Sequence, residues 1–394
     1  MKARYIILRD SGPAARSSPQ VRSFSRTASS LTIDVEELAP RDLASLAEKK
    51  IFVAPAMPMR LIAPFAAPLA VPGSDDTPPS EETEACAWGV QAVKADTSPF
   101  TGAGVTVAVL DSGIVRSLPV FDDIDVIEKD FTGEGVVDVD GHGTHCAGTI
   151  FGHDVSGTRI AVAPGVKRVL IGKVLSTEGA ASDQIANAIM WAVDNGAHVI
   201  SMSLGMDFPG FVKQLVEEDG YPPELATSHA LEGYRTNLLL FERLASYLRV
   251  KARSTLLVAA AGNESRRDID PRFQIAVSPP AVVEGILSVG AVGRHDDGLR
   301  VANFSNYGPK VSAPGVEIMS VALDGKLQAL SGTSMAAPHV AGVAALWAEK
   351  MLKKGPLGGT QLEARVVGQT STDEMAAGYS ASDIGEGIVQ APQM

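Results

Sequence analysis

The apolar positions of this chain follow two rhythms. From about residue 81 onward, short unbroken apolar runs alternate with stretches of helical period. The run at 105–110 (VTVAVL) is the type expected of a strand covered on both faces of a parallel sheet. The segments 168–174 and 198–202 are alike, and 255–260 and 286–292 add two more strands. Between them, 182–193 puts Ile185, Ile189, Met190 and Val193 on one helical face. Strands separated by helices predict an α/β domain with a doubly wound, mostly parallel sheet flanked by helices. Sites in such sheets lie at the C-terminal ends of strands.

The front of the chain reads differently. Strands are predicted at 5–8 and 31–35, around a polar loop at 10–30. A helix is predicted at 40–50, where Leu43, Leu46 and Ala47 share a face, and 51–53 leads into an extended stretch ending near Ile62. Pro64, Pro68, Pro72, Pro78 and Pro79 then mark an extended, solvated linker. The chain therefore divides into a small α+β domain over 1–62, a linker over 63–83 and a large domain over 84–394. In the large domain 206–254 is a long excursion between strands. Its second half, 235–250, has helical period, with Leu238, Phe241, Leu244, Ala245 and Leu248 on one face. Its first part, 206–228, is acidic and reads as an irregular insertion.

Charge narrows the function classes. The net charge is −12, which argues against nonspecific nucleic-acid binding. Residues 1–80 carry +2 and the remainder −14, a weak fit to docking of the front segment on an acidic body. Cys86 and Cys146 are the only cysteines and make no disulfide framework. No apolar run reaches about 18 residues, so no membrane span is expected. The run Tyr5-Ile-Ile-Leu8 is shorter than a secretory signal core of roughly 7–15 residues, which predicts a cytoplasmic protein or export by another route.

Four stretches carry chemistry. Leu330-Ser-Gly-Thr-Ser-Met-Ala-Ala-Pro-His-Val-Ala-Gly342 reads as a tight turn entering a helix of small residues. Gly332 is expected in a conformation closed to other residues, and Pro338 in the first turn. Ser334 at a helix start can attack a carbonyl while backbone N–H groups hold the oxyanion; an N-cap serine is the plainer alternative. Asp111 ends the strand at 105–110 and can fix a histidine's tautomer or cap a loop. Asp140-Gly-His-Gly-Thr-His-Cys-Ala-Gly148 offers His142 as a general base and His145 as a structural partner. Zinc ligation is disfavoured there, because the i, i+4 histidines and intervening glutamate of zinc peptidases are missing. Ala259-Ala-Ala-Gly-Asn263 ends another strand with an amide that can donate to an oxyanion or serve a turn. Together Asp, His, Asn and Ser form a complete acyl-transfer set.

In the order Asp…His…Ser the sequence resembles the subtilisin-like serine proteases. The resemblance rests on Val109-Leu-Asp-Ser-Gly113, His142-Gly-Thr-His145, Ser201-Met-Ser-Leu-Gly205, Ala261-Gly-Asn263 and Gly332-Thr-Ser-Met-Ala-Ala-Pro338, and extends over 84 to about 392. It implies Ser334 as nucleophile, His142 as base, Asp111 as its orienting partner, and Asn263 with the Ser334 N–H as oxyanion hole. It implies that Ser203, Leu204 and Gly205 pair with a polypeptide substrate opposite Ala260–Gly262, with Ala260 and Gly262 walling the first pocket and Ser278 near its floor. A small floor residue implies a medium or large apolar side chain there. The segment 1–62 resembles an inhibitory propeptide, an intramolecular partner whose residues 57–69 would approach the cleft and which would be released by a cut in 65–84. No cofactor is implied for the chemistry. Structural calcium is a family feature, but Val120 and Val155 stand where the usual site has ligands; Asp122, Asp123, Asp125, Asp130, Asp138 and Asp140 are the acidic alternatives. Two other readings stay open, a transacylase using the same acyl-enzyme and a non-catalytic binding protein.

Overall fold

The computed structural model describes residues 3–11, 30–49, 51–65, 85–251 and 254–394. In the first segment, β1 (Ala3–Ser11), β2 (Ser30–Leu38) and β3 (Phe52–Pro55) form an antiparallel sheet in the order β2-β1-β3, joined by α1 (Pro40–Glu48). The predicted strand–helix–strand unit is present. The following strand, β4 (Pro58–Leu61), leaves this sheet and joins the large domain.

The large domain opens with α2 (Trp88–Ala92) and β5 (Thr106–Asp111). After β5 come β6 (Asp125–Asp130), α3 (His142–Phe151), β7 (Arg168–Lys173), β8 (Ala180–Ala181) and α4 (Ser182–Asp194). The chain continues through β9 (Val199–Met202), β10 (Leu204–Met206), α5 (Phe208–Glu217), α6 (Pro223–Lys251) and β11 (Leu256–Ala260). The last elements that concern the site are β12 (Ile286–His295), β13 (Gly298–Val301), β14 (Val311–Pro314) and α7 (Thr333–Leu352).

The central sheet runs β14-β12-β11-β9-β5-β7-β6 with these strands parallel, and β13 pairs antiparallel on β12. The chain lays β6 and β7 on one side of β5 and β9, β11, β12 and β14 on the other. The strand order therefore reverses at β5, and a cleft opens at its C-terminal end, where Asp111 sits. Every residue of β5, β9 and β11 is buried, as their unbroken apolar runs require. α7 is buried from Thr333 to Glu349, so its alanines and glycine let it lie through the core. This confirms the doubly wound α/β architecture.

The stretch 206–228 is not irregular. Met206 closes β10, Asp207 caps α5 by accepting the Gly210 N–H at 3.1 Å, and 223–228 begins the 29-residue α6. Pro209 and Pro223 stand at helix starts, where the missing N–H has no partner to lose. Phe208, Phe211, Val212, Leu215 and Val216 form the apolar stripe of α5. Helix α6 in turn carries the front segment. Leu240 packs with Ile6, Leu8 and Ala54, the Asn237 amide donates to the Pro55 carbonyl at 2.8 Å, and the Tyr247 hydroxyl accepts from the Leu31 N–H at 3.0 Å.

Candidate active site

Three of the four predicted residues sit at the same edge of the sheet as Asp111 or reach it from a helix start. Asp111 ends β5. His142 is the first residue of α3, brought against β5 because Gly143 abuts the turn after Asp111. A side chain at Gly143 would lie 2.2 Å from the Gly113 carbonyl oxygen, so only glycine permits this approach. His142 Nδ1 is 2.8 Å from Asp111 Oδ1, with both side chains buried. A neutral His142 that donates from Nδ1 to the carboxylate carries its lone pair on Nε2. Nε2 has no hydrogen-bond partner among the described residues. Burial alone pushes His142 toward the neutral form, but the charge and hydrogen bond of Asp111 outweigh it and hold its pKa well above the ordinary 6.5. Burial also pushes the neighbouring Cys146 thiol upward, so Asp111 is the anion that matters at neutral pH.

Ser334 is the second residue of α7 and wholly buried. Its hydroxyl contacts Met335 Sδ at 3.4 Å. Pro338 lies in the second turn, not the first. Without its N–H, the Ser334 carbonyl has no helical partner. That carbonyl instead accepts from Ser203 Oγ at 3.1 Å and Cys146 Sγ at 3.4 Å. Cys146 Sγ is also 3.7 Å from His142 Nδ1. The missing helical bond thus ties Ser334 to the end of β9 and to the histidine helix. Gly332 is extended at φ 167°, open to any residue, so its backbone is not why it is glycine. Space is the reason: a side chain there would lie 2.8 Å from Ser334 Oγ and 2.9 Å from Asn263 Nδ2.

Asn263 follows β11. Its Oδ1 accepts both the Thr333 N–H and the Thr333 hydroxyl at 2.8 Å, which turns Nδ2 into the cleft. There Nδ2 donates at 3.0 Å to the carbonyl of Ala63. The chain's own segment 57–65 fills the cleft. β4 pairs antiparallel with β10, matching Leu61 with Leu204 and Arg60 with Gly205. The Ile62 N–H continues the ladder to the Ser203 carbonyl at 3.2 Å. On its other edge β4 pairs with β8, and beyond Ala63 the backbone of Phe65 exchanges hydrogen bonds with Ser331 at 2.7 and 3.0 Å. Residues 63–65 thus belong to the cleft and not to a solvated linker; 66–84 lie outside the described residues.

Ser203, Leu204 and Gly205 form the expected pairing edge. Position 205 has Ser278 Oγ 3.0 Å and Ile62 Cγ1 3.5 Å from where a side chain would start, which puts Ser278 beside Ile62. Ala260 is the buried end of β11, and Gly262 donates to Thr333 Oγ1 at 3.1 Å. The bond Pro279–Pro280 is cis. Sequence reasoning missed Ala180, Ala181 and Ser331, whose backbones pair with the segment, and Thr333, which orients Asn263. Ser331 and Thr333 lay inside the motif already singled out; the two alanines gave no signal.

The remaining candidates lie apart from Asn263 and Ser334 or are held in local hydrogen bonds. His145 Nε2 lies 3.1 Å from the carbonyls of Ile318 and Gln328, away from His142. Asp138 accepts from Thr144 and from the Asp140 and Gly141 N–H groups, and Asp130 from Thr132, Gly133 and Gly135. Val120 and Val155 are buried and offer no side-chain oxygen. Cys86 and Cys146 are not joined by a disulfide. Among the described residues no helix is long and apolar enough to cross a membrane. Burial lowers His145 to about 3 and His339 to about 4. Both are neutral in the folded protein at pH 5 and protonated in the unfolded chain. The stability they contribute is complete above 6.5 and is lost as pH falls through about 4 to about 3. The urea midpoint is expected to drop between pH 6.5 and 4; a flat midpoint would contradict this assignment.

The Subtilase family matches residues 102–385 of the chain. The chain belongs to the subtilase family. A thermostable alkaline protease of Halalkalibacterium halodurans is 34% identical over 267 residues, 66% of this chain and 62% of that protein. Subtilisin DY of Bacillus licheniformis is 33% identical over 268 residues, 66% of this chain and 83% of that protein. Subtilisin Savinase of Lederbergia lenta is 35% identical over 277 residues, covering 67% and 84%. The chain thus spans about three-fifths of the first of these and more of the shorter two. Membership agrees with the parallel sheet and with the resemblance carried by the Asp111, His142, Asn263 and Ser334 motifs.

Proposed function

We propose that this subtilase is a serine endopeptidase that hydrolyses polypeptides through an acyl-enzyme and is held inactive by its own N-terminal segment. The observation that carries the reading is the seat of the Ala63 carbonyl. It accepts from the Asn263 amide while the chain on either side is paired to β10 and to Ser331. A peptide held in this way has its backbone read by strand addition, which is tolerant of sequence. Its carbonyl faces the donor that would hold a developing negative charge.

The proposed roles are those of an acyl-transfer set. Ser334 Oγ attacks the carbonyl, His142 Nε2 takes its proton, and Asp111 fixes the tautomer and stabilises the imidazolium. Asn263 Nδ2 and the Ser334 N–H hold the oxyanion. His142 then returns the proton to the leaving nitrogen, and water repeats the cycle on the ester. A small residue, Ser278, beside the pairing edge at Gly205 supports a first pocket that takes a medium or large apolar side chain. The relatives are named as proteases, which lends no support to the transacylase or binding-protein alternatives.

The segment itself supports the inhibited state. With it in place, Ser334 Oγ contacts Met335 Sδ, and His142 Nε2 has no partner among the described residues. The peptide bond following the Ala63 carbonyl is Ala63–Pro64, whose nitrogen carries a ring carbon in place of hydrogen. The strands β1, β2 and β3, docked on α6, hold the segment in place.

The base must be neutral to act. The raised pKa of His142 therefore places the acid limb of kcat/KM above pH 6.5. Asp111→Asn removes the cause, so it should shift the limb downward and lower kcat by about 10⁴-fold. A limb that stays in place in Asp111→Asn would overturn the assignment of His142 and Asp111.

A further inference from the structure

Arg60 is matched with Gly205 in the β4–β10 ladder, three residues before Ala63. Its guanidinium bridges two carboxylates. Nη1 is 3.1 Å from Asp207 Oδ1 and Nη2 is 3.1 Å from Glu264 Oε1. These acids come from distant parts of the chain. Asp207 leads the excursion after β10, and Glu264 follows the oxyanion donor Asn263. Neither depends on Arg60 for its position. Asp207 Oδ1 caps α5 through the Gly210 N–H at 3.1 Å. Glu264 Oε2 accepts from the Asn306 amide at 2.7 Å, and Asn306 Oδ1 accepts from the Glu264 N–H at 3.1 Å.

Resting on the endopeptidase reading, we infer that Asp207 and Glu264 form a specificity site that selects polypeptides with a basic residue, arginine above lysine, three positions before the residue whose carbonyl sits on Asn263. When the segment leaves, two anchored carboxylates face each other across the place vacated by Arg60. A substrate with arginine there restores both ion pairs. A neutral side chain leaves the acids facing each other, and glutamate adds a third negative charge. Arginine suits the site because its planar fork presents one nitrogen to each acid, whereas lysine brings a single point charge. Partial exposure limits the gain: Arg60 is 44% exposed, Asp207 24% and Glu264 34%. The site therefore tunes selectivity and does not anchor the substrate by itself. Salt should weaken it, because exposed pairs are screened.

The test uses the full chain carrying Arg60→Gln, which weakens the hold of the segment on the cleft. Its Ser334 should react with a fluorophosphonate about fivefold faster than in the unsubstituted chain, the scale of two partly exposed ion pairs. Peptides that differ only at the selected position should then rank Arg, Lys, Gln, Glu in kcat/KM, with Arg over Gln by roughly fivefold at low salt. The full chain carrying Asp207→Asn and Glu264→Gln together with Arg60→Gln should lose the ranking while its Ser334 still reacts. Labelling no faster in Arg60→Gln, or Arg no better than Gln as substrate, overturns the inference and leaves the endopeptidase reading standing. A chain whose Ser334 neither labels nor turns over any peptide removes that reading, and this inference with it.

Discussion

Ser334→Ala is expected to lower peptide hydrolysis by about a million-fold while leaving the fold and the docked segment in place. The size follows from the lack of any substitute. His142 can take a proton from water, but the other hydroxyl at the start of α7, that of Thr333, is held by donating to Asn263 Oδ1 at 2.8 Å. The fold should survive because the Ser334 hydroxyl, among the described residues, is hydrogen-bonded to Met335 Sδ alone, while its carbonyl keeps the Ser203 and Cys146 hydrogen bonds. Steady-state kinetics on a peptide substrate and a thermal melt check both halves. Activity within tenfold of the starting protein would contradict the role given to Ser334.

Pro64→Ala is expected to turn the inhibitory segment into a substrate. The Ala63 carbonyl is already on the oxyanion donor, so attack there is geometrically prepared. Collapse of the tetrahedral adduct needs His142 to deliver a proton to the nitrogen of residue 64. In proline that nitrogen is hemmed by ring carbons, and the ring also restricts the backbone of Ala63. Alanine removes both obstacles. Scission between residues 63 and 64 should accelerate on the order of 100-fold, the scale associated with correcting a misplaced reacting group. Intact mass of the full chain over time measures it. The double variant Pro64→Ala, Ser334→Ala should stay whole, which separates self-cleavage from contamination. A Pro64→Ala chain that remains whole while it hydrolyses added peptide would show that proline is not the obstacle.

The sheet and the placement of the four candidate residues were legible because each rests on a local signal. Unbroken apolar runs marked β5, β9 and β11. Asp111 and Asn263 stood where two of those runs ended, while His142 and Ser334 stood where helices of small residues began. What escaped was set by tertiary context. The stretch 206–228 read as irregular, yet it holds α5 and the start of α6, with Pro209 and Pro223 in their first turns. Pro338 read as a harmless first-turn proline, yet its missing N–H frees the Ser334 carbonyl for Ser203 and Cys146. Gly332 read as a conformational need and proved to be one of space. Asp207 and Glu264 carried no signal, since only the pairing of β4 on β10 brings them to one arginine. The extent of the segment was misjudged because proline composition suggested a linker from residue 63, whereas Pro64 and Phe65 lie in the cleft.

The central claim is that Ser334 is an activated nucleophile covered by residues 58–65. Fluorophosphonate labelling of the full chain, followed by peptide mapping, tests it most directly. The account predicts a single adduct on Ser334, formed slowly while the segment is seated, faster in Arg60→Gln, and absent in Ser334→Ala. An adduct on another residue, or peptide hydrolysis by a chain in which Ser334 stays unlabelled, would contradict it.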